Sequence, residues 1–265
     1  MIPHSKPLLG EREAEAASRV VYSGMLAQGA ECEHLERELE AYLSVDHAVV
    51  VSSGSAALHL SLLALGLNGQ HRVAIPSYVC SVLLNAVRHV GSEPVLSDLP
   101  EAGYNVELAG EDVDAAIVPH VFGIAADLGT VEFPIVEDCA MAIGASQDGR
   151  KLGTIGRLGI FSFYATKVLC AGEGGAVCTS DTGLAEAIKD LRDYDGRQDQ
   201  KRRYNYKMTD LQAAIVRVQL ETLVSFVERR RELADQYTDR LSGESLILPQ
   251  YDEQDLPFRY VVEHP

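Results

Sequence analysis

Short apolar runs alternate along the first half of the chain with segments of helical periodicity. Five runs are typical of buried strands, near residues 47–52, 72–76, 93–98, 115–120 and 134–138. The segments after the first two strands predict helices at 55–67 and near 79–89. Because helical crossovers join parallel strands, this rhythm predicts an α/β fold, a parallel sheet with helices on both faces.

The alternation of strands and helices changes after Asp138. Two further strands are predicted at 157–163 and 174–180, with Lys167 in the short segment between them. A helix at about 181–193, a polar and basic loop at 195–207 and a long amphipathic helix at 208–241 follow. The pattern from about 11 to 43 is also helical, since Leu35, Leu39 and Leu43 recur at helix spacing.

The pattern divides the chain into two predicted regions. Residues 1–240 form a large α/β domain with N-terminal helices. The stretch 241–265 contains Pro249, Pro257 and the strand-like FRYVVEH, and it is predicted to begin a small, truncated C-terminal domain.

Composition narrows the class of protein. Hydrophobic residues make up 46% and charged residues 23% of the 265 residues, as in ordinary soluble proteins. A net charge of −16 disfavours a nucleic-acid partner, because an acidic surface repels phosphate backbones. The five cysteines are scattered without a CxxC pair, which predicts reduced thiols in the cytoplasm. No apolar stretch is long enough to predict a membrane span.

Lys167 is the first candidate for chemistry. It lies between two apolar strands in the segment SFYATKVLCAGEGG, where burying an ammonium group is costly. A desolvated lysine is the usual nucleophile towards a carbonyl cofactor. The alternative, an exposed lysine on a turn, is favoured by this segment taken alone.

Two further segments could bind an anion and a cation. In VSSGSAALHL, the strand, turn and helix start around Gly54 and Ser55 could bind an anion, or Ser53 or Ser55 could simply cap the helix. In PIVEDCAMAIG, an acid at the end of a strand could hold a pyridinium nitrogen protonated, or it could cap the following segment. His120, at the end of another strand, is more often structural than catalytic.

Taken in order, several strings of this chain resemble the DegT/DnrJ/EryC1/StrS family of sugar aminotransferases. The strings are SGMLAQG, SSGSAALHL, IPSY, VPHVFG, VEDCAMAIGA, GRLGIFSFYATKVLCAGEGGAVCT and NYKMTDLQAAIVRVQL. The resemblance runs from the N-terminus to about residue 240. It implies a fold-type I transferase that depends on pyridoxal phosphate (PLP), with a mixed, mostly parallel sheet.

The resemblance also implies a role for individual residues. Lys167 would form a Schiff base with PLP and later move a proton between Cα and C4′, while Asp138 would pair with the pyridine nitrogen. Gly54 and Ser55 would bind the phosphate at a helix N-terminus, and the Ser162 hydroxyl would add a contact.

Asn205 resembles the family's asparagine that reaches the phosphate from the neighbouring subunit, which implies a homodimer with shared active sites.

Two positions depart from the family's pattern. Cys80 occurs where an aromatic ring usually stacks on the cofactor, and Met141 occurs where Gln or His is common near the phenolic oxygen. A missing ring weakens cofactor binding by about 1 kcal/mol, and a thioether cannot donate a hydrogen bond. The retained lysine argues against the relatives that carry histidine there and perform dehydration.

The implied reaction moves an amino group from an amino acid, with glutamate as the expected donor, to a keto-sugar that is expected to be nucleotide-linked. Cys80, Met141 and the short C-terminus motivate an alternative, a PLP-binding protein of the same fold with weak or no turnover. A lyase or mutase on the same fold is a second alternative.

Overall fold

The described part of the chain folds around one mixed sheet. The computed structural model describes residues 5–101, 103–108 and 112–264. The strands are β1 (His47–Val51), β2 (Arg72–Pro76), β3 (Glu93–Ser97), β4 (Ala115–Pro119), β5 (Ile135–Asp138), β6 (Ser146–Gln147), β7 (Arg150–Lys151), β8 (Leu158–Ser162) and β9 (Gly175–Thr179). Within these residues, seven of the strands form the sheet, in the order β1-β9-β8-β5-β4-β2-β3.

The strand directions confirm a mixed, mostly parallel sheet. Strands β3, β2, β4, β5 and β8 pair in parallel, whereas β9 runs antiparallel to both of its neighbours, β1 and β8. The five strands predicted in the first half of the chain and the two around Lys167 are therefore present. The two-residue strands β6 and β7 form a separate hairpin that the sequence pattern did not predict, because a run this short has no readable period.

Six helices lie among the described residues. They are α1 (Glu11–Ser23), α2 (Ala30–Leu43), α3 (Gly54–Ala64), α4 (Val82–His89), α5 (Thr182–Arg192) and α6 (Asp210–Leu241). The helical pattern predicted from 11 to 43 is divided in two, because Gly24 ends α1 with a left-handed φ of 72°. The Asp210 carboxylate accepts the N–H groups of Gly29 and Cys32, so the start of α2 is fixed to the start of α6.

The two faces of the sheet bury different helices, as the alternation of strands and helices predicts. Along β1, Ala48 and Val50 pack in a core with residues of α2 and α6. Val49 and Val51 point to the other face and pack in a core with α3 and α4. The helices cover the two faces of the sheet, so the edge at the carboxyl ends of the parallel strands remains open to form a site.

The C-terminal stretch folds back onto the large domain. The strand predicted for FRYVVEH is wrong, since its pairing is limited to one bridge between Ile247 and Glu263. Leu256 and Phe258 instead lie in the core beside α2 and α6, and their N–H groups donate to the carbonyls of Gly123 and Phe122. The free energy gained by burying Leu256 and Phe258 is larger than the weak strand preference of this stretch. The division into domains at residue 240 stays a prediction.

No helix in the described ranges combines the length and the apolar character that crossing a bilayer requires.

Candidate active site

A cavity of about 660 Å³ opens at the carboxyl edge of the parallel strands. Its wall includes residues at or directly after the ends of four of them: Ser77 after β2, His120 after β4, Asp138 ending β5 and Ser162 ending β8. Ligands of open α/β sheets bind at this edge. Seven of the eight residues predicted to form the site line the cavity, namely Gly54, Ser55, Cys80, Asp138, Met141, Ser162 and Lys167.

The start of α3 forms one wall. Ser53 caps the helix by accepting the N–H of Ala56 at 3.1 Å, so capping occurs as the alternative interpretation predicted. The first N–H groups of the helix, at Gly54 and Ser55, have no partner within the helix and remain suited to an anion. A Cβ at Gly54 would lie 2.9 Å from Cβ of Ser162, so glycine is what allows the end of β8 to approach.

Lys167 lies on a folded turn between β8 and β9. Its N–H donates to the Tyr164 carbonyl at 2.8 Å, and Phe163 and Ala171 close the base of the turn with further backbone hydrogen bonds. The side chain is half-buried and lines the cavity. Burial lowers the pKa of Lys167, and Asp138 partly opposes that effect. The structure therefore combines the two interpretations, a turn lysine whose amine is desolvated.

Asp138 is a buried acid at the end of β5. One carboxylate oxygen accepts the N–H of Ala140 at 3.0 Å, which is the local capping contact that the alternative interpretation predicted. Burial raises the pKa of Asp138, while Ala140, Lys167 and His120 act in the opposite direction. No described cation lies within ion-pair distance of this carboxylate. A cation placed in the cavity would therefore stabilise its charged form.

Glu137, the residue before Asp138, has a structural role. Its carboxylate accepts the N–H groups of Gly153, Ile155 and Gly156, and it lies 3.0 Å from Nε2 of His120. Nδ1 of His120 accepts the N–H of Ala126, so Nε2 carries the proton that is donated to Glu137. With Cys139 these two side chains have the spacing of a metal site, but the lone pairs of Glu137 are already used.

Cys80 and Met141 both line the cavity, and their contact with a cofactor stays a prediction. Cys80 is exposed, and the other four cysteines are buried. Met141 is half-buried and packs against the core that contains α2 and α6. These parts of the wall are therefore lined by a thiol and a thioether.

Phe258 lies beside Lys167 without lining the cavity, and this contact was missed by the sequence analysis. Nζ of Lys167 lies 5.6 Å from the centre of its ring, within the range of a cation–π contact. Arg259 beside it contributes to the lowered pKa of Lys167. The apolar string LPF at 256–258 could have indicated that this stretch is buried, but nothing in the sequence pattern indicated which residues it would contact.

Phe122 is a second residue that the sequence analysis missed. It lines the cavity, and its φ of 57° is in the left-handed region, which costs a residue other than glycine about 1–3 kcal/mol. Its ring packs edge-on against Tyr104, at 5.0 Å between centres. This strained backbone holds an aromatic ring at the mouth of the cavity.

Asn205 is the predicted site residue that lies outside the cavity. It is exposed, between two half-buried tyrosines, Tyr204 and Tyr206. The carbonyl of Tyr206 accepts the N–H of Ser52 at 2.8 Å, directly before the start of α3. The asparagine is thus not part of the wall of its own chain's cavity.

Comparisons with known proteins agree with this architecture. A profile of the DegT/DnrJ/EryC1/StrS aminotransferase family matches residues 7–262. The chain belongs to this family. One relative is GDP-perosamine synthase of Vibrio cholerae. Its sequence is 31% identical to this chain, and the alignment covers 92% of this chain and 71% of that protein.

Two further relatives come from Streptomyces venezuelae. A dTDP-3-amino-3,4,6-trideoxy-alpha-D-glucose transaminase is 37% identical, over 87% of this chain and 66% of that protein. DesV, solved in complex with a ketimine intermediate, is 33% identical with a TM-score of 0.87, over 94% of this chain and 73% of that chain. The family resemblance seen in the sequence is therefore confirmed, and the matches span about two thirds to three quarters of these relatives.

Proposed function

We propose that this protein is a PLP-dependent aminotransferase that moves an amino group from an amino acid to a nucleotide-linked keto-sugar. The observation that carries the proposal is the placement of the Lys167 amine in one cavity with Asp138 and the N-terminus of α3. The nucleotide-linked sugar is supported by the names of the relatives, and glutamate is the expected donor from the family resemblance.

The residues of the cavity fit PLP. The unpaired N–H groups at Gly54 and Ser55, the Ser55 hydroxyl and the Ser162 hydroxyl are suited to a phosphate group. Asp138 would hold a protonated ring nitrogen, and that contact would compensate for the burial that raises the pKa of Asp138. Lys167, whose pKa is lowered, offers an amine that can be uncharged.

When bound, PLP supplies an electron-withdrawing ring that makes the Cα–H bond of an amino acid acidic. In the first half-reaction Nζ of Lys167 would take the proton from Cα of the donor, and in the second it would deliver a proton to the sugar carbon that becomes aminated. Burial of Lys167 favours this exchange, because it lowers the pKa of the amine towards the working pH. Asp138 would keep its charge and hold the ring nitrogen protonated.

Asn205 would complete the site from a second copy of the chain. The side chain is exposed and lies outside its own cavity, which supports a contact made across an interface. The proposal therefore includes a homodimer whose two sites each use Asn205 of the other subunit.

Cys80 and Met141 favour a second candidate, a PLP-binding protein without turnover. Neither side chain provides the ring or the strong hydrogen-bond donor that the family usually has at these positions. The two candidates differ in whether bound PLP accepts an amino group.

The test is an absorbance spectrum of the purified protein with PLP, before and after glutamate is added. We expect a visible band that is lost in Lys167→Ala and retained in Lys151→Ala, a control lysine that is also part-buried but packs on Tyr42 outside the cavity. Glutamate should convert the band of the wild type to the ultraviolet absorbance of pyridoxamine phosphate. A wild type without a band would overturn PLP dependence, and a band that glutamate leaves unchanged would favour the second candidate.

A further inference from the structure

His59 is a buried titratable side chain that the proposed reaction does not use. It lies on α3, one helical turn after Ser55, and is 6% exposed. Its Nδ1 lies 3.1 Å from the hydroxyl of Tyr206, while its Nε2 is buried with no hydrogen-bond partner among the residues that the structure describes. Burial and then the nearby His89 lower the pKa of His59, so the ring is neutral near pH 7.

A histidine at this position is costly for stability. A buried nitrogen without a partner has lost its bonds to water and gained none in the protein. The buried residues of α3 near position 59 include Leu58, Leu60 and Leu62, and a leucine at position 59 would be buried without leaving a nitrogen unpaired. Residues that break a local rule of stability in this way are expected where function requires them.

The single hydrogen bond of His59 fixes an aromatic pair. The rings of Tyr204 and Tyr206 are stacked, with centres 5.0 Å apart and planes 10° from parallel. The ring of His59 meets Tyr204 edge-on at 5.0 Å. Asn205 lies between these two tyrosines, so its backbone is held at both neighbouring residues.

The same tyrosines are connected to the start of α3. The Tyr206 carbonyl accepts the N–H of Ser52, and Ser53 next to it is the N-cap of the helix. Residues 53–55, called the 53–55 turn below, follow Ser52 and line the cavity. A displacement of Tyr206 would therefore be transmitted through one hydrogen bond to the turn that is proposed to bind phosphate.

We infer that His59 is a positioning residue for the phosphate group of PLP. By holding Tyr206 it fixes the 53–55 turn of its own chain, and by packing on Tyr204 it fixes the direction of Asn205. The inference rests on the proposed function, and the chemical group that it concerns is a phosphate monoester. The residues proposed to hold the rest of the cofactor, Asp138 and Lys167, lie outside α3 and the 204–206 segment, so the effect should be confined to the phosphate.

The test compares the binding of PLP with that of pyridoxal, which has the same aldehyde and ring but no phosphate. His59→Leu and Tyr206→Phe should each weaken PLP by roughly three- to tenfold, the worth of one hydrogen bond, and leave pyridoxal unchanged. His59→Asn, whose amide can replace Nδ1, should restore most of the preference. Ser61→Ala, which removes another buried hydrogen bond of α3, should leave it as in the wild type.

A second measurement needs no cofactor. In the protein without PLP, amide hydrogen exchange of peptides that contain Ser52 and residues 204–206 should become faster in His59→Leu and Tyr206→Phe, and stay unchanged in Ser61→Ala. A wild type that binds neither PLP nor pyridoxal would instead contradict the proposed function itself. If the wild type prefers PLP and both variants keep that preference with unchanged exchange, the positioning role is wrong.

Discussion

Cys80 lies in the cavity wall, beside the place where the proposed cofactor would stack. Its exposure distinguishes it from Cys32, Cys139, Cys170 and Cys178, which are buried. Burial raises the pKa of each of these four thiols, which keeps them protonated and unreactive. A single residue thus provides a chemical probe of the site that does not depend on turnover.

We expect one fast-reacting thiol per chain when the native protein is treated with a disulfide reagent such as DTNB. Cys80→Ser should abolish this fast phase, and saturating PLP should slow it by about fivefold or more, because a bound ring covers the side chain. Tyr78→Phe, a conservative change in the same wall, is the control and should leave the fast phase in place. A fast phase that PLP does not slow would place the cofactor away from Cys80.

The site residues that could be predicted from the sequence differ from those that were missed in which part of the fold places them at the site. Asp138 ends one strand and Lys167 follows another, and the carboxyl ends of parallel strands lie at one edge, so their meeting could be predicted from the strand pattern together with the family's strings. Phe258 enters from a stretch without regular structure, and its contact with Lys167 depends on tertiary packing. The left-handed backbone of Phe122 could not be predicted either, because phenylalanine is not a residue type that favours this conformation.

At the scale of elements, Glu137 joins the end of β5 to the turn at 153–156. Burial alone would raise the pKa of its carboxyl, but the bond to His120 and those to the turn outweigh burial and lower the pKa. Because the pKa is lower in the folded state, the stabilisation is full above the unfolded value of about 4.3 and is lost as the pH falls through the folded value.

Glu137→Gln should therefore destabilise the protein at pH 7 by about 3 kcal/mol or more, since it removes one partner of a buried hydrogen-bonded group. The free energy of unfolding in urea should also fall less steeply between about pH 5 and pH 3 in the variant than in the wild type. Glu132→Gln changes an exposed carboxylate near the same strand and should alter neither quantity. Equal pH slopes for Glu137→Gln and wild type would show that Glu137 is not the group that titrates.

The sequence pattern predicted most elements but not their ends. Helix α3 begins at Gly54 and ends at Ala64, whereas the pattern continued to residue 67. The interruption between α1 and α2 was missed because the apolar spacing continues on both sides of it, although Gly24 and Gly29 mark it. Strand direction was also open, because the buried run of β9, which pairs antiparallel, has the same pattern as the buried runs of the parallel strands.

At the scale of the whole molecule, the proposed sharing of Asn205 makes activity a property of two chains. The mixture of Lys167→Ala and Asn205→Ala proteins tests it. In a mixed dimer, one site has its own Lys167 together with Asn205 of the other chain, so that site is intact, and the second site lacks both residues.

At limiting PLP, refolding the two variants together in equal amounts should give about a quarter of the wild-type aminotransfer through the mixed dimers, because half of the dimers are mixed and each carries one intact site. Each variant refolded alone is the control: Lys167→Ala should stay near background and Asn205→Ala should lose roughly three- to tenfold, so the mixture should exceed the mean of the two controls. A mixture no more active than that mean would place Asn205 and Lys167 in the same chain's site. Sedimentation of the wild type as a monomer would exclude sharing altogether.

The stretch around Phe258 has a consequence for biosynthesis. A ribosome releases the strands, the lysine turn and the helix start proposed to bind phosphate before it releases Phe258, which packs near the lysine. A nascent chain paused before that point would present an amine with one side uncovered and more accessible to water. Capture of the proposed cofactor in its final form would therefore follow synthesis of the stretch around Phe258.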